Sequence, residues 1–326
     1  MTPEDCSVRG LHIPGAIVIG RAPCSGNAGG ADLSDVDLTA ARIDRRVKFQ
    51  CASHRAYYTA DGTIQFAEPD VWPLEYVNGV PVGRHEPEPQ STNYVPYSND
   101  LSKSIIYDAV SVALSGTKWR GLDGYSISGP YTYSLAGIAT FTAAAGQHYT
   151  LSVIADLSTA QQLRFEFNRS ATARRGYVFT ATTATASGID AGNIVTLHGY
   201  KITQLDEGVY RFSATASFSA AGPATLRIGV NKNDTAAAAI VYFCQAEDSD
   251  IATSPILTTG AAAMRAAAFA TVTNPGGQAT AIRVHYSDGT TDEYDFGANG
   301  SDIQLPQSAT NWGTRYITRI QYARGF

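Results

Sequence analysis

Histidine, cysteine and carboxylate are the side chains most often recruited for metal binding and covalent chemistry, and here none is spaced for it. The six histidines, His12, His54, His85, His148, His198 and His285, never fall two or four apart as paired metal ligands do. Cys6, Cys24, Cys51 and Cys244 are scattered without a Cys-x-x-Cys pair, so free thiols are expected rather than a zinc site or a disulfide framework. The acidic run Asp32-Leu-Ser-Asp-Val-Asp37 lacks the central glycine and distal glutamate of a calcium loop and reads as a cap or solvated turn. Gly124-Tyr-Ser-Ile-Ser-Gly129 approaches a nucleophile elbow, but its spacing is wrong and no strand-to-helix context surrounds it, so a turn is expected. Glu166 with Glu247 or Asp156 would be the material for a carboxylate pair, yet a solvated strand face accounts for them without chemistry. No phosphate loop and no His-Glu-x-x-His is present. The expectation is a protein with no catalytic residues, no metal and no cofactor.

Sugar binding is the chemistry these residue types do permit. It needs aromatic rings to stack on the apolar face of a pyranose, and carboxylate, amide and guanidinium groups to bond its hydroxyls. Trp119, Tyr125, Tyr131 and Tyr133 are the candidate rings, and Arg164, Glu166, Asn168, Arg211 and Arg227 the candidate hydrogen-bonding face. The competing expectation is that this polar face is ordinary solvent surface or a subunit interface.

The elements that must hold these groups are strands. Tyr149, Leu151, Val153 and Ala155 alternate with Thr150, Ser152 and Asp156; Leu163, Phe165 and Phe167 with Arg164, Glu166 and Asn168. The same period runs through Tyr210 to Phe218, with Arg211, Ser213, Thr215 and Ser217 on the polar side, and through Leu226, Ile228 and Val230. These are read as half-buried antiparallel strands, apolar inward and polar outward. Ile240-Val-Tyr-Phe-Cys-Gln245 is apolar on both faces and is expected to be central. Asp61-Gly62 and Asn78-Gly79 mark hairpins. A short helix is expected near Ser104 to Val112.

Short strands with polar turns at this spacing define an all-β fold of sandwich type. Four parts follow: a glycine-rich attachment segment over 1–39, with one strand candidate at Ala16-Ile-Val-Ile19; a β-hairpin leader over 40–85; a sandwich over 86–265; and a small C-terminal β-domain over 266–326.

Glu86 to Asn93 followed by Tyr94-Val-Pro-Tyr-Ser98 resembles the lead-in of bacteriophage virion proteins that carry a carbohydrate-binding-module-like β-sandwich. Trp119, Tyr149-Thr-Leu-Ser152, Gly208-Val-Tyr-Arg-Phe-Ser213, Gln245-Ala-Glu247, Ala252-Thr-Ser-Pro-Ile-Leu-Thr-Thr-Gly260 and Arg265 continue the resemblance in order. It implies a jelly roll, and it implies Trp119 as a core aromatic as readily as a binding one. It further implies a structural protein on the virion exterior, tail-, baseplate- or fibre-associated, whose sandwich contacts host surface polysaccharide. The alternative is a head-decoration or connector protein whose sandwich serves only packing; a glycan-degrading enzyme is disfavoured. Other virion proteins and copies of the chain itself, as a trimer or ring, are the expected partners.

The 326 residues carry a formal charge of -5 and no basic run, which argues against a nucleic-acid surface. No apolar stretch approaches bilayer length, so no membrane insertion is expected. Met1-Thr-Pro-Glu-Asp shows no signal-peptide pattern, so synthesis in the host cytoplasm is the expectation.

Overall fold

The computed structural model describes residues 31–107, 109–131, 134–157, 162–230, 238–297 and 300–323. Most of the attachment segment, with His12, Cys6, Cys24 and the strand candidate at 16–19, lies outside them, as does Tyr133.

The end of the attachment segment contributes β1 (Val36–Asp37), and the leader contributes β2 (Val47–Gln50), β3 (Arg55–Tyr58), β4 (Ile64–Ala67), β5 (Glu75–Val77) and β6 (Val80–Gly83). The middle of the chain contributes β7 (Ser91–Asn93), β8 (Ile105–Tyr107), β9 (Ser111–Trp119), β10 (Leu122–Ser128), β11 (Leu135–Ala143), β12 (His148–Asp156) and β13 (Leu163–Ser170). It continues with β14 (Ala173–Phe179), β15 (Ala184–Asp190), β16 (Val195–Asp206), β17 (Val209–Phe218), β18 (Gly222–Val230), β19 (Ala238–Glu247) and β20 (Ala263–Arg265). The C-terminal stretch adds β21 (Phe269–Val272), β22 (Ala281–Tyr286), β23 (Thr291–Asp295), β24 (Ile303–Gln304) and β25 (Ile317–Ala323).

The fold is all-β, and its middle part is an antiparallel sandwich. One sheet runs β16-β17-β12-β19-β10-β9, with β7 bridging β19 to β20, and the other runs β15-β14-β13-β18-β11-β8. The residues that alternate inward in the sequence meet between them: Leu151, Val153, Phe212 and Ala214 from the first sheet bury against Phe165, Phe167, Phe179, Leu226 and Ile228 from the second. Phe179 and Phe212 touch across the gap with ring centroids 5.4 Å apart. The doubly apolar β19 lies centrally, between β12 and β10.

The expected helix near Ser104 to Val112 is absent. A single 3₁₀ turn, Leu101–Lys103, is capped by the Asp100 side chain, and the β-branched Ile105 and Ile106 then extend into β8 to pair with β11. Ala109, with φ near +59°, breaks any continuation.

Leader and C-terminal strands form a common body. β1 pairs with β25 and β2 with β21, and Val36, Leu38, Val47 and Trp72 share a core with Val272, Ile282, Val284 and Ile320. The C-terminal segment therefore does not stand alone, as its own small domain would; the leader supplies the surface it needs to be buried. Asn78 and Gly79 both hold positive φ (51° and 77°) in the turn between β5 and β6, as the Asn-Gly pair predicts. A third cluster welds the body to the sandwich: Tyr58, Ile64 and Trp312 pack against Trp119, Leu122, Ile154, Val209 and Tyr242.

That junction overturns the expectation of a solvated polar face. Thr150, Ser152 and Ile154 point out of the sandwich yet are nearly inaccessible. The loop after β19 lies over them, and Thr150 Oγ1 donates to the Ser249 carbonyl. On the opposite sheet Arg164 and Glu166 are also buried, for a different reason given below.

The chain enters and leaves the sandwich at one buried carboxylate. Glu88 is fully inaccessible; its Oε2 lies 3.2 Å from Arg55 Nη2 and 3.0 Å from Arg265 Nη1, and its Oε1 lies 3.6 Å from His85 Nε2. The Ser254 amide and hydroxyl donate to it at 2.7 and 2.6 Å. Around it the motif residues tie together. Ser91 Oγ and the Thr253 amide donate to Glu247, and the Ile256 amide donates to Gln245 Oε1 (2.7 Å). Asn93 Nδ2 donates to the Ile256 carbonyl (2.8 Å), while Ser98 and Thr258 exchange hydrogen bonds (2.9 and 3.0 Å). The sequence pattern from Glu86 to Ser98 and from Gln245 to Arg265 is thus a closure, in which the buried carboxylates, side-chain amides and hydroxyls bond across the two stretches.

Burial alone would raise the Glu88 carboxyl, but Arg265, His85 and Arg55 hold it well below the usual range. A lowered folded value stabilises above the free carboxyl's pKa, and the contribution is lost as pH falls through the folded value. Glu88→Gln, which strands buried guanidinium charge, is expected to cost about 3–5 kcal/mol at pH 7 in urea unfolding, with the deficit shrinking in acid. Glu75 behaves oppositely. Burial pushes it up to about 7 despite His85 and Arg55, and the Tyr58 amide donates to it at 3.1 Å. Its contribution to stability is present below the free carboxyl's pKa and is lost as pH rises through about 7. Glu75→Gln should therefore gain roughly 2–3 kcal/mol at pH 8 and much less at pH 5, read by the same unfolding assay.

Candidate functional site

The structure separates the residues marked for sugar binding. Trp119 ends β9 at the junction: it is 7% exposed, packs on Tyr242 at 5.9 Å, and donates Nε1–H to Asp206 Oδ2 at 2.7 Å. Arg120, next to it, pairs with the same carboxylate at 2.9 Å and lies 4.4 Å over the Tyr58 ring. Trp119 is a core aromatic, unavailable for stacking on a sugar, because the leader covers its face. Tyr125 is half-buried and hydrogen-bonded to Asp100. Tyr131 is exposed on the connection after β10.

Arg164, Glu166, Asn168 and Arg227 do come together, on the outer face of the second sheet, but they pair with one another around Glu166. Arg164 Nη2 and Arg227 Nη1 reach the two Glu166 oxygens at 3.4 and 3.3 Å, and Asn168 Nδ2 donates to Oε1 at 3.2 Å. Arg227 also lies 4.0 Å over the Tyr107 ring. The long guanidinium stems lying over Glu166 are what bury it. Arg211 belongs to the other sheet, on β17, and is the one member of the set that lines a cleft.

That cleft, of about 350 Å³, opens on the outer face of the first sheet where the C-terminal segment 310–314 leans over it. Its volume falls within the range of small-molecule sites, roughly 300–1,000 Å³. The floor is the outward row of β17, Arg211, Ser213 and Thr215, together with Thr150 of β12. Thr150 and Thr215 hydroxyls sit 2.7 Å apart. At one end His148 and His198 stack with ring centroids 4.0 Å apart, and His198 Nε2 meets Ser217 Oγ at 2.7 Å. A bulge between Leu197 and Gly199 in β16 leaves His198 outside the ladder, free to turn toward its neighbour. At the other end stand Lys201, Thr310, Trp312 and Thr314, with Lys201 Nζ donating to the Thr310 carbonyl at 2.6 Å. Arg211 lies 5.4 Å over the Trp312 ring and donates from Nη2 to Ser152 Oγ at 3.2 Å and to the Thr253 carbonyl. Asp250, Ile251 and Ala252 form the side wall.

Burial and the neighbouring His148 lower the His198 pKa; burial and the charge of Arg211 lower that of Lys201. Among the described residues no group of three or more His, Cys, Asp or Glu is placed to hold a metal ion. The geometry offers hydroxyls, two fixed cations and a pair of stacked imidazoles: a polar surface suited to bonding a hydroxyl-rich ligand.

No family model matches the chain, and no curated protein matches it. Among solved structures it is similar to the CBM22-1 xylan-binding domain of Xyn10C from Paenibacillus barcinonensis, with 11% identity, a TM-score of 0.30, and coverage of 50% of this chain and 96% of that one. It is also similar to the adhesin domain of Epf from Streptococcus pyogenes, with 12% identity, a TM-score of 0.19, and coverage of 81% and 86%.

The cleft's other residues escaped sequence reading. His148, His198 and Lys201 are single polar residues on strand edges, and Trp312 arrives from about a hundred positions beyond the β17 row; only that row itself carried a period-2 signal. Trp119→Ala, as the truncation of a buried core aromatic, is expected to cost about 3–5 kcal/mol in thermal or urea unfolding.

Proposed function

We propose that this chain is a non-catalytic, glycan-contacting structural protein of the bacteriophage virion exterior, made in the host cytoplasm, in which the cleft over β17 is the contact site. The observation that carries the glycan part is the hydroxyl and guanidinium row of Arg211, Ser213 and Thr215, which lines a cleft between a histidine pair and the 310–314 segment. The virion part is supported by the motif resemblance across residues 86–265.

A packing role as a head-decoration or connector protein is the second reading, and one observation favours it. Ile105 and Ile106 on β8 and Leu114 on β9 are exposed at 52%, 52% and 62%, each on an edge strand of its sheet. Apolar edges of this kind are where further chains add.

A glycan array and host lipopolysaccharide, probed with wild type, Ser213→Phe and Trp119→Ala, distinguish the two. Ser213→Phe fills the cleft and should abolish glycan retention, whereas folded Trp119→Ala should keep it. Retention unaffected by Ser213→Phe refutes the site. No retention by wild type, with an oligomer in solution mass measurement, leaves the packing role.

A further inference from the structure

We propose, resting on the glycan reading of this cleft, that its ligand is an acidic sugar, a uronic or other carboxylate-bearing residue whose negative charge is received between Lys201 and Arg211. The chain as a whole is acidic, with a formal charge of -5, but the cleft is not. Lys201 and Arg211 both line it, and among the described residues neither closes an ion pair. Lys201 Nζ is met by the Thr310 carbonyl, and Arg211 by Ser152 Oγ and the Thr253 carbonyl, all through neutral oxygens. Among the described residues only Nη2 of Arg211 is engaged in this way, and Nε and Nη1 meet no acceptor there.

Among the other buried arginines, Arg55 and Arg265 are matched by Glu88 and Arg164 by Glu166, whereas Arg84, outside this cleft, is closed by the Trp72 and Ala40 carbonyls. Glu88 and Glu247 act on Arg211 only at longer range, and Glu88 is already shared by two guanidiniums. Arg211, 8% exposed, is therefore a buried cation kept without a direct counter-ion beside a second cation. Such an arrangement is costly unless a ligand supplies the missing charge. A carboxylate there accepts charge-assisted hydrogen bonds from both groups, while the ring hydroxyls meet Ser213 and Thr215.

The histidine pair adds a pH dependence. The charged groups facing it are Asp250 on the side wall, Asp248 in the same loop, Lys201 on β16 and Arg211 on β17. Protonating His198, whose pKa burial and His148 lower, adds positive charge to the cleft as the pH falls, and a sugar carboxylate stays ionised at pH 5.5. Affinity should rise from pH 7.5 to 5.5, and fall as salt is raised at either pH.

The test is titration calorimetry of the full chain with hexagalacturonate and with a sialylated oligosaccharide, each beside its carboxyl-reduced counterpart, at pH 5.5 and 7.5. The expected result is binding of an acidic form at least about tenfold tighter than its reduced form, weakened about tenfold by Lys201→Met. Lys201→Met should weaken the acidic form by a larger factor than the reduced form, because only the acidic form loses a charge-assisted contact. Because Lys201 is on the surface, its loss leaves the fold intact; unfolding of the variant is measured alongside. Reduced forms binding as tightly as acidic ones, or Lys201→Met leaving acidic binding unchanged, overturns the charge assignment. If the acidic probes fail while neutral glycans bind in a Ser213→Phe-sensitive way, the acidic class falls and the glycan site stands. If no glycan binds at all, both fall.

Discussion

The Glu88 carboxylate is the interaction on which the architecture turns. A single buried negative charge receives two guanidiniums and the amide and hydroxyl of Ser254, and those groups come from the leader, from the loop after β19 and from β20. Burying either guanidinium or the carboxylate alone would be costly; brought together, the desolvation of each is offset by the other. Sequence positions 177 apart, Glu88 and Arg265, are thereby held in contact, and the strands on either side of them, β7 and β20, pair as a consequence.

This tie determines what the sandwich can show to solvent. Because the polypeptide enters and leaves beside β7 and β20, the body built from leader and C-terminal strands must sit against the first sheet, and it does so through Trp119, Tyr58 and Trp312. The outer face of that sheet is consequently mostly roofed. The cleft is the part of the roof left open, bounded by the 310–314 segment on one side and the 250–252 loop on the other. Its polar row was placed by strand period, but its walls were placed by the clasp.

The strands themselves were legible. Strict alternation located β12, β13, β17 and β18, double apolarity located β19 at the centre, and the Asn-Gly and Asp-Gly pairs located hairpins, because these depend on neighbours one or two residues away. What alternation could not tell was which polar face is wet. Arg164, Glu166 and Asn168 look the same in sequence as a solvated strand face, and they are buried because Arg227 from β18 and their own neighbours cover them. Trp119 looks the same whether it stacks on a sugar or on Tyr242. The segment from Ser104 reads as helical in sequence but is extended for a related reason: its extended state is stabilised by pairing with β11, a contact thirty residues away. In each case the missing information is long-range. The motif running from Glu86 to Arg265 was visible as a pattern, but its purpose, charge neutralisation at a closure, is a property of three dimensions.

Because β7 and β20 lie side by side, the sandwich hangs from its supporting body by two adjacent strands, much as a pendant hangs from a ring. Such an attachment makes the sandwich exchangeable as a cassette: a different sandwich spliced between the same two ends would inherit the anchorage, provided that it kept the Glu88, Ser254 and Arg265 latch and a matching apolar patch for Tyr58 and Trp312. The surface presented outward could then diversify without renegotiating how the molecule is mounted.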